Sequence, residues 1–455
     1  MPRPLHRVLI ANRGEIALRA VRAARSLGIE SVAVHSTADI ASPHVFAADR
    51  AVCIGPPPPS KSYLDMASLI HVARATACDG IYPGYGFLSE RAEFARRCAD
   101  TGLVFIGPDA EAIATMGDKA AAREAAARLG VPLVPGSDGA FTEVAAAARA
   151  AASIGFPLLL KARAGGGGRG MRVCPAPADL ARLFEQASRE AVAAFGDGAI
   201  YLEHFFAAVR HIEVQVFGDS HGTVRALGER DCTVQRRHQK LIEEGPSPVL
   251  DDKLRAEIQA AAVTLARGVR YVGAGTVEFI FDETSRQFFF IEMNTRIQVE
   301  HPVTEMITGS DLVAEQFRVA RGDRLSVAMP ASGPIGHAIE FRINAEDWRH
   351  DFRPGPGRLT RWRPPTGPGI RVDSFVYEGF EVPPYYDSML AKLVVHGATR
   401  DEALARARTA LAGFEVEGLA TTIPFHRAVL DGADFPASRI HTRWVETTFL
   451  PRALG

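Results

Sequence analysis

Three consecutive phenylalanines, Phe288 to Phe290, run into Glu292-Met293-Asn294-Thr295-Arg296-Ile297-Gln298-Val299-Glu300-His301. An apolar run of this kind reads as a buried strand. This one continues into two carboxylates, two amides and a guanidinium. Covering such groups unpaired costs on the order of several kcal/mol apiece. A fold that contains this segment must bring counter-charges to it. A metal ion and an anionic substrate are the simplest ones.

The 455-residue length exceeds one ordinary core, so about two to four units are expected. With 47% hydrophobic and 23% charged residues the composition is that of a globular, soluble chain. The 52 basic and 53 acidic side chains nearly cancel. That balance argues against nucleic acid or an anionic membrane surface as partner. The five cysteines are scattered and form no C-x-x-C, which suggests neither a disulfide framework nor a zinc site. No run of about 18 apolar residues is present to span a membrane. Arg13 and Glu15 interrupt any secretory apolar core, and a strand starting near His6 leaves no room for a transit peptide. The expected location is cytoplasmic.

The first segment reads as a βαβ unit. Arg7 to Ala11 is a strand, Glu15 to Leu27 a helix closed by Gly28, and Ser31 to His35 a second strand. Alternation continues to about Ile106, which predicts an α/β fold with a parallel sheet. The loop Asn12-Arg13-Gly14-Glu15 has one glycine where a dinucleotide fingerprint needs three, so the front unit is Rossmann-like without NAD. A second unit starts near Ala114. Asp118 caps a helix from Lys119 to Leu129, and an alanine-rich helix opens at Thr142 and Glu143 and stops at Gly155. Strands are expected at Phe156 to Ala162, Ile212 to Gly218, Thr223 to Glu229, Thr276 to Asp282 and Gln287 to Met293. Helices are expected at Lys253 to Arg267 and at Asp311 to Arg321, the latter capped by Ser310. A third unit begins near Ile335 and holds strands and a final helix opened by the capping box Thr399-Arg400-Asp401-Glu402. The units are 1–113, 114–334 and 335–455.

The glycine run Gly165 to Gly168, with Arg169 and Gly170, fits G-x-G-x-x-G by spacing alone. Met171 to Pro175 after it looks like a strand, not a helix, which favours a hairpin flap whose backbone N–H groups approach phosphates. Lys161 before the flap and Lys119 at a helix start suit phosphate neutralisation; the helix dipole disfavours a cation at the second place. Glu278 and Glu292 lie on two strands joined by a short turn. If they face each other they repel, and a divalent cation resolves the conflict, with Asn294 adding an amide oxygen. Arg296, Gln298 and Glu300 alternate, so in an extended segment they share a face suited to a small oxyanion. A carboxylate there serves as a base if its pKa is tuned upward. The basic run Arg230 to Lys240 suggests a polyanionic ligand, and His211 and Glu213 share one face of a strand.

These segments resemble the biotin carboxylase family of the ATP-grasp superfamily, from about Arg7 to about Thr448. The likeness rests on ANRGEIA (Ala11 to Ala17), YPGYGFLSE (Tyr82 to Glu90), MGDK (Met116 to Lys119), KARAGGGGRGMR (Lys161 to Arg172), RDCTVQRRHQK (Arg230 to Lys240), EMNTRIQVEHPVTE (Glu292 to Glu305), FRINAED (Phe341 to Asp347) and YYDSMLAKL (Tyr385 to Leu393). The resemblance implies a Rossmann-like N-terminal domain, an ATP-grasp domain with a glycine-rich lid at about 132–204, and a biotin carboxylase C-terminal domain. It implies that ATP contacts Lys119, Lys161, Gly165, Gly166, Gly167, Gly168, Met171, Glu203, His211, Gln235, His238, Glu278 and Glu292. Glu278, Glu292 and Asn294 would hold Mg²⁺ or Mn²⁺. Lys240, Arg296, Gln298 and the Val299 backbone would hold bicarbonate, Glu300 would be the base, and Arg342 and Tyr85 would face biotin. Bicarbonate would attack the γ-phosphate to give carboxyphosphate, which releases CO₂ beside the biotin ureido ring. The freed phosphate takes the N1 proton while Arg342 stabilises the enolate.

Several positions depart from the family pattern: Tyr82, Arg91, Ala208-Val209, Trp348 and Thr421-Thr422. They touch the expected biotin approach and subunit contacts, not the reaction class. No lysine is flanked by methionines, so biotin is expected on a separate carrier protein, with a separate carboxyltransferase subunit and a homodimeric state. Two other readings are an ATP-grasp ligase for a different carboxylate and a degenerate nucleotide-binding regulator. The very small anion pocket disfavours the first, and the presence of Glu300, Lys240 and both metal carboxylates disfavours the second.

Overall fold

A computed structural model describes residues 5–163 and 171–454. Strands β1 (Arg7–Ile10), β2 (Glu30–Ser36), β3 (Arg50–Gly55), β4 (Gly80–Tyr82) and β5 (Val104–Phe105) form a sheet in the order β3-β2-β1-β4-β5. Every pairing in it is parallel. Alternate residues of β1 enter different cores. Val8 and Ile10 pack with the helices Gly14–Ser26 and Leu312–Ala320, whereas Leu9 packs with Leu69 and Phe94 of the opposite layer. Burial on both faces is why these strands read as continuous apolar runs.

The loop after β1 ties three segments together. Asn12 Nδ2 donates to the carbonyls of Pro83 and Tyr85, at 2.7 and 2.8 Å. Gly14 has φ +68°, and a Cβ there would stand 3.6 Å from the Phe375 ring. The single glycine of this loop therefore serves a left-handed turn. Arg13 is buried against Asp39 and lies over the Tyr386 ring, 4.1 Å from its centroid.

A three-stranded antiparallel sheet holds β6 (Leu158–Ala162), β7 (Met171–Cys174) and β8 (Ile200–His204), with β6 central. Lys161 faces Met171 in register, as the flap reading requires. Gly165, Gly166, Gly167 and Gly168 lie outside the described residues.

The largest sheet has eight strands. It begins with β9 (Arg210–Gly218), β10 (Val224–Arg236), β11 (Gln239–Gly245), β12 (Gly273–Asp282), β13 (Gln287–Asn294) and β14 (His337–Asn344). The strands Met389–Gly397 and Ile370–Ser374 complete it, in the order β13-β12-β9-β10-β11-β14, then 389–397 and 370–374. It therefore continues without a break across residues 334 and 335.

Several local expectations change. β10 runs on to Arg236, so most of the basic segment is strand. A strand of this length passes through the core because its charges are paired: Glu229 with Arg255, Arg230 with Glu213 and Arg236 with Asp351. Asp311, not Ser310, caps the helix Leu312–Ala320, because its carboxylate accepts from the Ala314 N–H. The capping-box helix, Arg400–Ala412, is followed by two more, Ile423–Asp431 and Leu450–Leu454, so it is not the final one. Thr399 caps it by accepting from the Glu402 N–H, as expected. The helix Lys119–Arg128 has its predicted Asp118 cap.

Candidate active site

Lys240 is the centre of the site. The β10–β11 hairpin turns through Arg237 and His238, both at positive φ (48° and 63°), which is the backbone of a tight two-residue hairpin turn. Lys240, facing Gln235, is then carried back into the sheet. Its ammonium donates to Glu278 Oε1 at 2.9 Å, to Glu300 Oε1 at 2.7 Å and to Glu213. Three carboxylates around one ammonium fix its charge firmly.

The carboxylates come from different elements. Glu213 lies on β9 between His211 and Gln215, and also accepts from the buried Arg230 guanidinium of β10 at 2.6 Å. Glu278 and Glu292 are direct cross-strand partners on β12 and β13, with a bulge immediately after Glu278. The hairpin register therefore brings the two expected metal carboxylates opposite one another. Burial and the neighbouring Glu278 together push the Glu292 carboxyl up, against the pull of Lys119. That repulsion is what a divalent cation relieves, and hard oxygen donors suit Mg²⁺ or Mn²⁺. Asn294 belongs to the same cluster: its Nδ2 donates to Glu278 and its Oδ1 accepts from Arg296.

Residues 295–300 are not an extended strand. They bend and turn into the helix His301–Thr308, with Glu300 at its N-cap position. The side chains converge all the same. Arg296 Nη1 donates to Gln298 Oε1 at 2.7 Å, its Nε to Glu90 at 2.9 Å, and Gln298 Nε2 to Glu278 at 2.9 Å. Glu300 is fully buried and accepts from Lys240 and, at 3.0 Å, from Arg342. Its pKa moves opposite to the expectation. Burial pushes the carboxyl up, but Lys240 and Arg342 outweigh burial and the opposing Glu213, so it lies below the usual range. The carboxylate is therefore ionised at neutral pH.

Arg342, on β14, divides its guanidinium between Glu300 and Glu243, the latter at 2.6 Å. Its backbone carbonyl accepts from Thr422 Oγ1 at 2.7 Å. The Val299 carbonyl is taken by Lys392, which is fully buried and also pairs with Glu15 at 3.0 Å. Tyr85 donates to that same Glu15 carboxylate. The tyrosine, Arg342 and Glu300 thus border one region.

His211 and Gln235 sit beside this cluster. Burial pushes His211 down, but Glu278 and Glu213 more than reverse it, to about 9. Gln235 is buried, while His238 is exposed at the hairpin tip. Lys161 and Glu203 form their own ion pair on the three-stranded sheet. Met171 and Lys119 are exposed, and Lys119 acts on Glu292.

The sequence reading gave no individual role to Glu213, Arg230, Glu243, Glu90 or Lys392. Glu213 had a signal, the alternation His211-Glu213-Gln215 on one strand face. Lys392 had none, because a lysine in Ala-Lys-Leu reads as surface until its strand is known to be covered. Two of the departures are absorbed locally. Tyr82 is buried, bonded to Gln316 at 3.1 Å and stacked on Phe317. Trp348 packs among Phe425 and Phe449.

Three family models match in chain order: "Biotin carboxylase, N-terminal domain" at residues 4–113, "Carbamoyl-phosphate synthase L chain, ATP binding domain" at 118–328, and "Biotin carboxylase C-terminal domain" at 340–447. The chain is 51% identical over 440 residues to the biotin carboxylase of Nostoc sp., covering 97% of this chain and 98% of that one. It is 48% identical to the biotin-dependent acyl-coenzyme A carboxylase alpha3 subunit of Mycobacterium leprae, over 97% of this chain and 74% of the relative. The biotin carboxylase domain dimer of the Hydrogenobacter thermophilus 2-oxoglutarate carboxylase, solved with MgADP, ADP and bicarbonate, superposes with a TM-score of 0.89 at 45% identity, covering 100% of this chain and 99% of that one. The three matched segments, in order and over nearly the whole length, make this chain a member of the biotin carboxylase family.

Proposed function

We propose that the chain carboxylates biotin borne on a separate carrier protein, using ATP and bicarbonate and releasing ADP and phosphate. It is an ATP-grasp ligase, and the reaction is the first half of an acyl-CoA carboxylase cycle. One observation carries the site reading: Lys240 and Arg342 converge on a single buried carboxylate, Glu300, beside the facing pair Glu278 and Glu292, to which Arg296 is joined through Asn294 and Gln298. Such a pocket suits a very small anion next to a nucleotide phosphate.

The roles follow from that arrangement. Arg296 and Gln298, with Lys240 and the Val299 N–H, hold bicarbonate, and Glu300 takes its proton. Glu278, Glu292 and Asn294 hold Mg²⁺ or Mn²⁺, which when bound neutralises the ATP phosphates and polarises the γ-phosphoryl group. Lys119, Lys161, Gly165 to Gly168, Met171, Glu203, His211, Gln235 and His238 line the nucleotide. Arg342 steadies the enolate charge on the ureido ring, with Tyr85 beside it. Carboxyphosphate is unstable in water, and the 132–204 lid shields it. The chain divides into units 1–113, 114–334 and 335–455. It acts as a homodimer in the cytoplasm, with a biotin carboxyl carrier protein and a carboxyltransferase subunit. The Mycobacterium leprae relative, named as one subunit of a biotin-dependent acyl-coenzyme A carboxylase, supports a place in a multisubunit carboxylase.

The test is ADP formation by the purified chain with Mg²⁺, with and without bicarbonate and free biotin. A rate that needs both supports the reading. A rate indifferent to bicarbonate overturns it.

A further inference from the structure

Behind Arg342 the large sheet holds a second pair of facing carboxylates. Glu243 on β11 and Glu340 on β14 are direct cross-strand partners, and both are fully buried. Glu243 Oε1 accepts from Arg342. Glu243 Oε2 and both oxygens of Glu340 have no hydrogen-bond partner among the described residues. Three orphan oxygens on two adjacent buried carboxyls need an explanation.

The neighbouring cations are already engaged. Arg342 serves Glu243 and Glu300. Lys392, cross-strand from Arg342, serves Glu15 and the Val299 carbonyl, and faces Asp373 on its other side. Arg371 is taken by Asp373 and Glu305. From the helix above come Glu300 and His301, the latter held neutral by burial and by Lys392. An ionised Glu340 would be a second buried anion beside Glu243 without a cation of its own. Such a charge is not sustained in a dry interior.

We infer that Glu243 and Glu340 share one proton at neutral pH and together position Arg342. Glu340 donates its O–H to Glu243 Oε2, so the pair carries one negative charge against one edge of the guanidinium. The other edge stays with Glu300 and the substrate. Burial, with Glu243 and Glu300, holds the Glu340 carboxyl well above its usual range despite Lys392 and Arg342. Burial raises Glu243 as well. When alkali removes the shared proton to solvent, the second charge draws Arg342 toward the pair and away from Glu300.

The inference rests on the role given above to Arg342, and the test separates the two. Infrared spectra at neutral pH read the proton without turnover. The wild type should show a protonated-carboxyl stretch that Glu340→Gln lacks. Glu340→Gln, a permanent donor that cannot lose its proton in this way, should also move the alkaline limb of kcat upward by about one pH unit or more, with KM for ATP changed less than about twofold. Should Glu340→Gln fail to fold, Glu340→Met supplies the spectroscopic comparison. No difference in the carboxyl band between folded wild type and variant overturns the shared proton. An unmoved alkaline limb overturns the positioning role. A band that disappears in the variant, in a wild type whose rate ignores bicarbonate, upholds the shared proton and removes the reaction assigned to the site.

Discussion

At the scale of single residues, the central cations of the site are each shared among several carboxylates. Lys240 holds three carboxylates, and Glu300 leans on two cations, Lys240 and Arg342. Glu300→Gln keeps the shape and loses the proton acceptor. Bicarbonate-dependent ADP formation should fall by about 10²–10⁴-fold, with KM for ATP nearly unchanged, as read in a coupled assay. Thr422 is a subtler case. Its hydroxyl donates to the Arg342 carbonyl and accepts from the Asn344 N–H at 3.0 Å, so it pins the strand that carries Arg342. Thr422→Val should cost about 1 kcal/mol or somewhat more in a denaturant titration. It should lower the biotin-dependent rate while leaving nucleotide affinity intact by calorimetry. A drop in nucleotide affinity of the same size would show that Thr422 acts through the whole sheet instead.

At the scale of elements, legibility followed the strength of local signals. Gly28, Asp118, Gly155 and Thr399 are strong stops and caps, and each sits where its helix begins or ends. The Glu278–Glu292 hairpin was legible as two strands and a short turn, though not its register, which the bulge after Glu278 decides. The β10–β11 hairpin was not legible. Its turn uses Arg237-His238 at positive φ, where sequence rules look for Asn-Gly or Asp-Gly. Backbone strain of this kind persists where surrounding structure enforces it. Residues 296–300 misled because alternation implies an extended chain, whereas convergence here comes from bends and a helix start. The cap at Asp118 gives a direct check on how an element serves the site. Its carboxylate accepts from the Ala121 N–H at 2.8 Å and sets the helix end that carries Lys119. Asp118→Ala should lower stability by about 1 kcal/mol and raise KM for ATP, seen together in thermal melts and steady-state kinetics.

Across the whole molecule, buried titrating groups predict the response to acid. His44 in the parallel-sheet unit and His426 near Arg342 are both pushed down from 6.5 to about 4 by burial. Each is neutral when folded, so its contribution is complete above pH 6.5 and is lost as pH falls toward about 4. The loss is about 3 kcal/mol apiece at most. Burial pushes Glu244 up, but His337 and Arg400 more than reverse it, carrying it to about 2. Its contribution holds above about pH 4.3 and disappears below that, through about 2. Melting temperature should therefore begin to fall near pH 6.5 and drop again below about pH 4.3. His426→Phe should flatten the first step, and a first step unchanged in that variant would assign it elsewhere. The large sheet has a further consequence. β11 bonds to β10 on one side and to β14, about a hundred residues later, on the other. A polypeptide cut at 334 would leave β11 as a bare edge, with Glu243 and Glu244 stripped of Arg342, His337 and Arg400. Unpaired edges recruit other chains. Nascent chains that have emerged only that far should therefore aggregate more readily than the whole chain, and residues 335–455 act as the seal on what precedes them.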